Sequence, residues 1–148
     1  MPNLQIVRLT DTDRALIEPA WLARAEAVHR ELRPQIEADY AAQMRGIFAD
    51  GGEMIAAVDG DVVLGVAVFR VFRDTFSGRR LYVDDLVTTA SRRSQGAGKL
   101  MLDWLKQEAR RREANSLFLD SGTQRTDAHR FYFREGLVVT AFNFKQSM

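Results

Sequence analysis

The 148-residue sequence contains no cysteine. That absence excludes disulfides, thiolate metal sites and a cysteine nucleophile. Histidine is nearly absent as well. The two present, His29 and His129, lie far apart in sequence, so no metal centre is expected. An excess of charge of one sign is also missing. The net charge is +1, which provides no electrostatic footprint for nucleic acid or an anionic membrane. No apolar run reaches the roughly 18 residues that a membrane helix needs. The opening Met1-Pro2-Asn3-Leu4-Gln5 lacks the basic and apolar regions of a signal peptide, so the expected location is the cytoplasm. There is no internal repeat, linker or low-complexity segment, and the length suits one domain over residues 1–148.

What is present is ordinary for a globular chain: 46% hydrophobic and 28% charged residues. The elements can be read from periodicity and punctuation. Leu4 to Leu9 alternates as a first strand, and Thr10-Asp11-Thr12-Asp13 offers N-cap residues. A helix then follows through Ile17, Trp21, Leu22, Ala25 and Val28. Pro34 interrupts it, because its ring cannot join an ongoing helix. A second helix is expected from about Gln35 to Phe48, with Ile36, Tyr40, Met44 and Ile47 as its apolar stripe. Strands Glu53–Val58 and Asp61–Arg73 flank Asp59-Gly60, the dipeptide of a tight hairpin. After a turn at Thr75–Gly78 comes a buried strand, Leu81 to Val87. A long helix follows, then a short strand at Leu117-Phe118-Leu119, a break at Ser121-Gly122-Thr123 and a helix from Thr126 to Glu135. The final expected element is a strand from Val138 to Phe144. The order is β-α-α-β-β-β-α-β-α-β, an α/β chain with a mixed sheet and helices on both faces.

The stretch from Leu81 to Trp104 organises the rest. Its strand leads into a polar turn, and then into Ser94-Gln95-Gly96-Ala97-Gly98-Lys99 at the start of an amphipathic helix. Gly96 and Gly98 leave the backbone open to a ligand. A helix start presents unpaired N–H groups and the positive dipole end, which suit a phosphate. A nucleotide P-loop does not fit. Arg93 stands five before Gly98 where a glycine is needed, and Leu100 replaces the magnesium-binding Ser or Thr.

Arg93-Ser94-Gln95-Gly96-Ala97-Gly98 resembles the Arg/Gln-x-x-Gly-x-Gly/Ala loop of the GCN5-related N-acetyltransferases (GNAT). The resemblance extends over roughly Asp61 to Phe144. It implies a GNAT-like acyl-CoA N-acyltransferase fold with acetyl-CoA as co-substrate. The pyrophosphate would rest on the Arg93–Lys99 loop, and the pantetheine arm on the backbone of Leu86, Val87 and Thr88. The ending, Arg125 to Gly136 followed by Phe142-Asn143-Phe144-Lys145, particularly resembles aminoalkylphosphonate N-acetyltransferases. What carries over is the reaction type and not the substrate.

Two further features bear on chemistry. Asp84 and Asp85 stand in an apolar strand, where unpaired carboxylates are costly. Regular alternation sends them to opposite faces. Asp84 lies nine positions before Arg93, where the resemblance implies an acidic residue that helps take a proton from the amine. Asp85 is expected to make a structural pairing, for instance with an arginine. The segment Asp127 to Leu137 resembles the family's Ala-x-x-x-Tyr-x-x-x-Gly-Phe pattern. This implies that Tyr132 protonates the departing CoA thiolate, a sensible role for a phenol with pKa about 10. His129 is expected to be a partly exposed packing residue. The expected activity is direct acetyl transfer from acetyl-CoA to a primary amine on a small molecule or peptide, with a homodimer left open. The rivals are a non-catalytic acyl-CoA-binding or regulatory module and a protein-interaction domain without CoA.

Overall fold

The computed structural model describes residues 3–148. Five strands form one sheet in the order β1-β2-β3-β4-β5. They are β1 (Leu4–Arg8), β2 (Glu53–Asp59), β3 (Val62–Asp74), β4 (Gly78–Thr88) and β5 (Ser116–Leu119). β1 with β2, β2 with β3 and β3 with β4 pair antiparallel. Helices α1 (Pro19–Leu32) and α2 (Tyr40–Ala49) precede β2, α3 (Ala97–Arg111) follows β4, and α4 (Thr126–Arg134) follows β5. Contacts divide the chain into two units, one ending at Phe118 and one running from Leu119 to Met148. Among the described residues no helix is long and apolar enough to cross a membrane.

The central strands are covered on both faces. Leu22, Ala25 and Val28 of α1 and Tyr40, Met44 and Phe48 of α2 pack with Met54, Ala56, Val66, Val68 and Val87. On the other face, Trp104 of α3 meets Phe69 edge-on, with ring centres 5.7 Å apart. Met101 of α3 reaches Gly65, where a Cβ would lie 2.5 Å from the methionine Cε and 2.9 Å from the Val87 carbonyl oxygen. Glycine there lets helix and sheet approach closely. This two-sided burial explains the continuous apolar run of β3.

Three expectations are corrected. The Thr10–Asp13 group does not cap α1. Asp11 instead accepts from the N–H groups of Asp13 and Ala15, both at 2.9 Å, and closes a turn. The helix starts at Pro19, where a proline loses nothing because its N–H would be unpaired anyway. The second helix starts at Tyr40, because Asp39 caps it by accepting from the Ala42 N–H at 3.0 Å. The stretch before it is held as a loop by Arg30, which donates to the carbonyls of Ile36 and Glu37, both at 2.7 Å. Finally, Val138 to Phe144 is not a strand. It has the composition of one, but among the described residues it has no ladder partner, and Val138, Val139, Phe142 and Phe144 are 74%, 73%, 84% and 93% exposed. Strand structure requires paired backbone groups, which side-chain pattern alone does not supply.

Candidate active site

The site begins with an irregularity. The β3–β4 ladder matches Val68 with Asp85 and Phe69 with Val83, so Asp84 is an extra residue in β4. A bulge of this kind re-aims the side chains beyond it. Before the bulge, Arg80 and Tyr82 face the α1 side. After it, Asp85 and Val87 do. Asp84 and Asp85 therefore line the same cavity, of about 540 Å³, together with Arg33, Arg70, Arg80, Phe72 and Tyr82. The expectation that the two aspartates face opposite sides is overturned by this single inserted residue.

The two carboxylates have different partners. Asp84 is held by Arg70. The arginine Nε donates to both carboxylate oxygens at 3.1 Å, and Nη2 donates to Oδ2 at 2.5 Å. This forked geometry is the strong one for a guanidinium and a carboxylate. Asp85 accepts from Arg33 Nε at Oδ1, 2.8 Å away, and faces His29 Nε2 at Oδ2, 2.7 Å away. Burial alone would raise the Asp85 carboxyl. The hydrogen bond from His29 and the charge of Arg33 outweigh it, and the net direction is downward. Asp85 is therefore ionised and can only accept. His29 Nε2 must carry the hydrogen, and in a neutral ring this leaves Nδ1 to accept from the Tyr40 hydroxyl, 2.8 Å away. His29 and Tyr40 are 1% and 3% exposed. Burial pushes the ionisation of Tyr40 upward, so it stays a hydrogen-bond donor.

The third guanidinium, Arg80, lies among aromatic rings. Its central carbon is 4.9 Å from the Phe72 ring centre and 4.8 Å from that of Phe118. Its Nε is 2.8 Å from Asp74 Oδ2.

Beyond the aspartates, β4 continues through Leu86, Val87 and Thr88, paired with Ala67, Val66 and Gly65. A short turn, Ala90–Arg92, then enters the glycine loop. Glu31 of α1 anchors this junction by accepting from Thr89 Oγ1 at 2.7 Å and the Ala90 N–H at 2.9 Å. Arg92 ties the loop to Asp59 at 3.1 Å and to Gln95 at 3.1 Å. Arg93, Ser94 and Gln95 are exposed. Gly96 is the residue before α3, with φ 91° and ψ 2°, a conformation that side chains disfavour. The first backbone bond of α3 runs from the Leu100 N–H to the Gly96 carbonyl at 2.9 Å, so the helix opens at Ala97 with its N–H groups directed toward the loop. A helix start of this kind is a positive end suited to an anion.

In the second unit, Tyr132 lies on α4 and is half-buried, and burial pushes its ionisation upward. His129 donates from Nε2 to the Gly122 carbonyl at 2.8 Å.

The acetyltransferase (GNAT) family profile matches residues 16–136. The chain belongs to the GNAT family. Among curated proteins, this GNAT chain is 43% identical over 70 residues to the uncharacterised N-acetyltransferase YhdJ of Bacillus subtilis, covering 47% of this chain and 49% of the relative. It is 36% identical over 66 residues to the aminoalkylphosphonate N-acetyltransferase of Salmonella typhimurium, covering 45% and 43%. The chain thus spans about half the length of the curated relatives it matches. Among solved structures, the aminoglycoside N-acetyltransferase AAC(6')-Iy in complex with CoA superposes with a TM-score of 0.84 at 15% identity, covering 100% of this chain and 96% of that one. A transcriptional regulator from Bacillus halodurans superposes with a TM-score of 0.75 at 24% identity, covering 99% and 100%. These likenesses establish the fold.

Against that fold, the motif residues of the GNAT loop were legible in sequence. His29, Arg33, Tyr40, Arg70 and Arg80 were not, because nothing in their spacing marks them. They come together only through helix packing and strand pairing.

Proposed function

We propose that the protein transfers the acetyl group of acetyl-CoA to a primary amine that also carries an oxyanion. Membership of the GNAT family supports acetyl transfer. The observation that carries the acceptor class is the cavity lined by Arg33 and Arg80 beside Asp85, with Arg70 committed to Asp84 in its wall. Flat guanidinium forks suit a phosphonate or carboxylate, and the carboxylates suit an ammonium group. The Salmonella relative, an aminoalkylphosphonate N-acetyltransferase by name, supports the same class.

In this reading the Arg93–Lys99 loop holds the pyrophosphate of acetyl-CoA, and the backbone of Leu86, Val87 and Thr88 receives the pantetheine arm. Both units act as one domain, in the cytoplasm. The ammonium group loses its proton to water within the cavity, and the amine attacks the thioester carbonyl carbon within a ternary complex. The new C–N bond replaces the C–S bond; the attacking nitrogen releases its extra proton to water, the thiolate takes a proton from Tyr132, and water returns a proton to the phenolate. Direct attack suits a chain without cysteine. Holding the two reactants together lowers the barrier as much as proton transfer does.

The test measures CoA release from acetyl-CoA with 2-aminoethylphosphonate, propylamine and an aminoglycoside. The expected result is a kcat/KM at least about tenfold higher for the phosphonate, the scale of one or more charge-assisted hydrogen bonds. Equal rates for propylamine would remove the oxyanion from the reading. No CoA release with any amine, and no thermal shift with acetyl-CoA, would remove the activity.

A further inference from the structure

The cavity holds two carboxylates, and their partners assign them different work. Asp84 faces a guanidinium that grips both its oxygens. Arginine is always charged, so the Asp84 charge is cancelled within the wall of the cavity. Asp85 meets a guanidinium at one oxygen only. That arginine, Arg33, is the residue just after α1, with a side chain 42% exposed against 30% for Arg70. At its other oxygen Asp85 receives an imidazole N–H.

The imidazole is itself constrained. His29 is buried, and both of its ring nitrogens are used, one on Asp85 and one on Tyr40. Its ring meets the tyrosine ring edge-on, with planes 86° apart. This is an expensive arrangement for a core position unless every polar atom is satisfied. Here every one is, and the chain ends at the cavity wall on Asp85.

We propose that Asp85 is the carboxylate that holds the acceptor's ammonium group, and that His29, with Tyr40 behind it, is the positioning residue that fixes Asp85 for this task. This rests on the amine-acetylating function proposed above. An ionised carboxylate keeps up to four acceptor sites, so Asp85 can accept from an ammonium group while retaining both protein partners. Its conformation is fixed before the amine arrives, which spares the entropy of ordering it on binding. Tyr40 fixes the tautomer: while its hydroxyl donates to Nδ1, only Nε2 can carry the ring hydrogen. Asp84 is assigned to holding Arg70 in the cavity wall. The proton of the ammonium passes to water, because a carboxylate held in the ionised form is a weak base.

The experiment is steady-state kinetics with 2-aminoethylphosphonate at saturating acetyl-CoA, together with inhibition by 2-hydroxyethylphosphonate, which lacks the ammonium group. Asp85→Asn and His29→Leu should raise the KM for the amine about ten- to a hundredfold, the scale of a hydrogen bond to a charged group. The acetyl-CoA KM and inhibition by the hydroxyl analogue should change by less than about threefold, because neither depends on an ammonium site. His29→Gln, which retains an N–H donor, should recover part of the loss. It also guards against His29→Leu simply failing to fold, with circular dichroism as the check. Nitrogen-15 spectra of the imidazole should show the Nε2–H tautomer. Three results would overturn the proposal: a selective amine KM effect in Asp84→Asn but not Asp85→Asn, equal weakening of amine and hydroxyl analogue in the His29 variants, or an Nδ1–H tautomer. Absence of turnover by the unmodified protein with any amine would instead overturn the function on which the proposal rests.

Discussion

Asp84 and Asp85 are adjacent in the chain and line the same cavity. In a regular strand this cannot occur, since successive side chains alternate. The one-residue mismatch between Val68–Phe69 and Val83–Asp85 makes it possible. The bulge sets a double acidic wall against three arginines, and it separates the two carboxylates by partner rather than by face.

The fork between Arg70 and Asp84 should register as energetic coupling. Both side chains are under a third exposed. A double-mutant cycle with Arg70→Ala and Asp84→Ala, read from denaturant melts, should give a coupling of roughly 0.5–3 kcal/mol. Simple additivity would show that the fork contributes nothing to stability.

Asp85 should shape the acid limb of the stability curve. Its folded pKa is lowered from 3.8. Below that value the unfolded chain binds the proton first, so stability rises with pH across the window between the two values. The contribution is fully present above 3.8 and is lost as pH falls through the lowered folded value. Asp85→Asn should therefore be less stable than the unmodified protein at neutral pH, with the gap narrowing in strong acid. Melting curves across the acid range would check this. A constant gap at every pH would refute it.

Gly96→Val should damage the loop in two ways. The backbone there sits at φ 91°, which costs a residue with a Cβ roughly 1–2 kcal/mol. The bulk added would also crowd an anion approaching the N–H groups of α3. Calorimetric titration with CoA should show weaker binding in a variant that still folds. Unchanged affinity would remove the loop from the binding site.

Tyr132→Phe removes one hydroxyl and almost no volume. If the phenol protonates the thiolate, turnover should fall by about 10²–10⁴, while CoA affinity stays close to normal. Because burial pushes its ionisation upward, the phenol remains protonated at neutral pH and the loss should hold across the neutral range. Full turnover, with chemistry shown to limit the rate, would leave Tyr132 as a packing residue.

The sequence by itself determined the elements whose signals are local. The Asp59-Gly60 turn between β2 and β3, the apolar run of β3 and the glycine loop before α3 all follow from backbone geometry and from solvent-averse side chains. Both are properties of a few neighbouring residues. The family, too, was legible, because its loop motif needs particular residues at fixed spacing to open the backbone to a phosphate. Tertiary structure decided what depends on partners. Asp39 rather than Gln35 marks the start of α2, because capping is settled by which side chain reaches a free N–H group. Val138 to Phe144 has strand-like residues but, among the described residues, forms no ladder. The bulge at Asp84 exists only in the register between β3 and β4. His29 is 56 residues from Asp85 in sequence and 2.7 Å from it in space. No periodicity marks such a pair, since the contact is created by packing α1 across the sheet, and the cavity's chemistry is created with it.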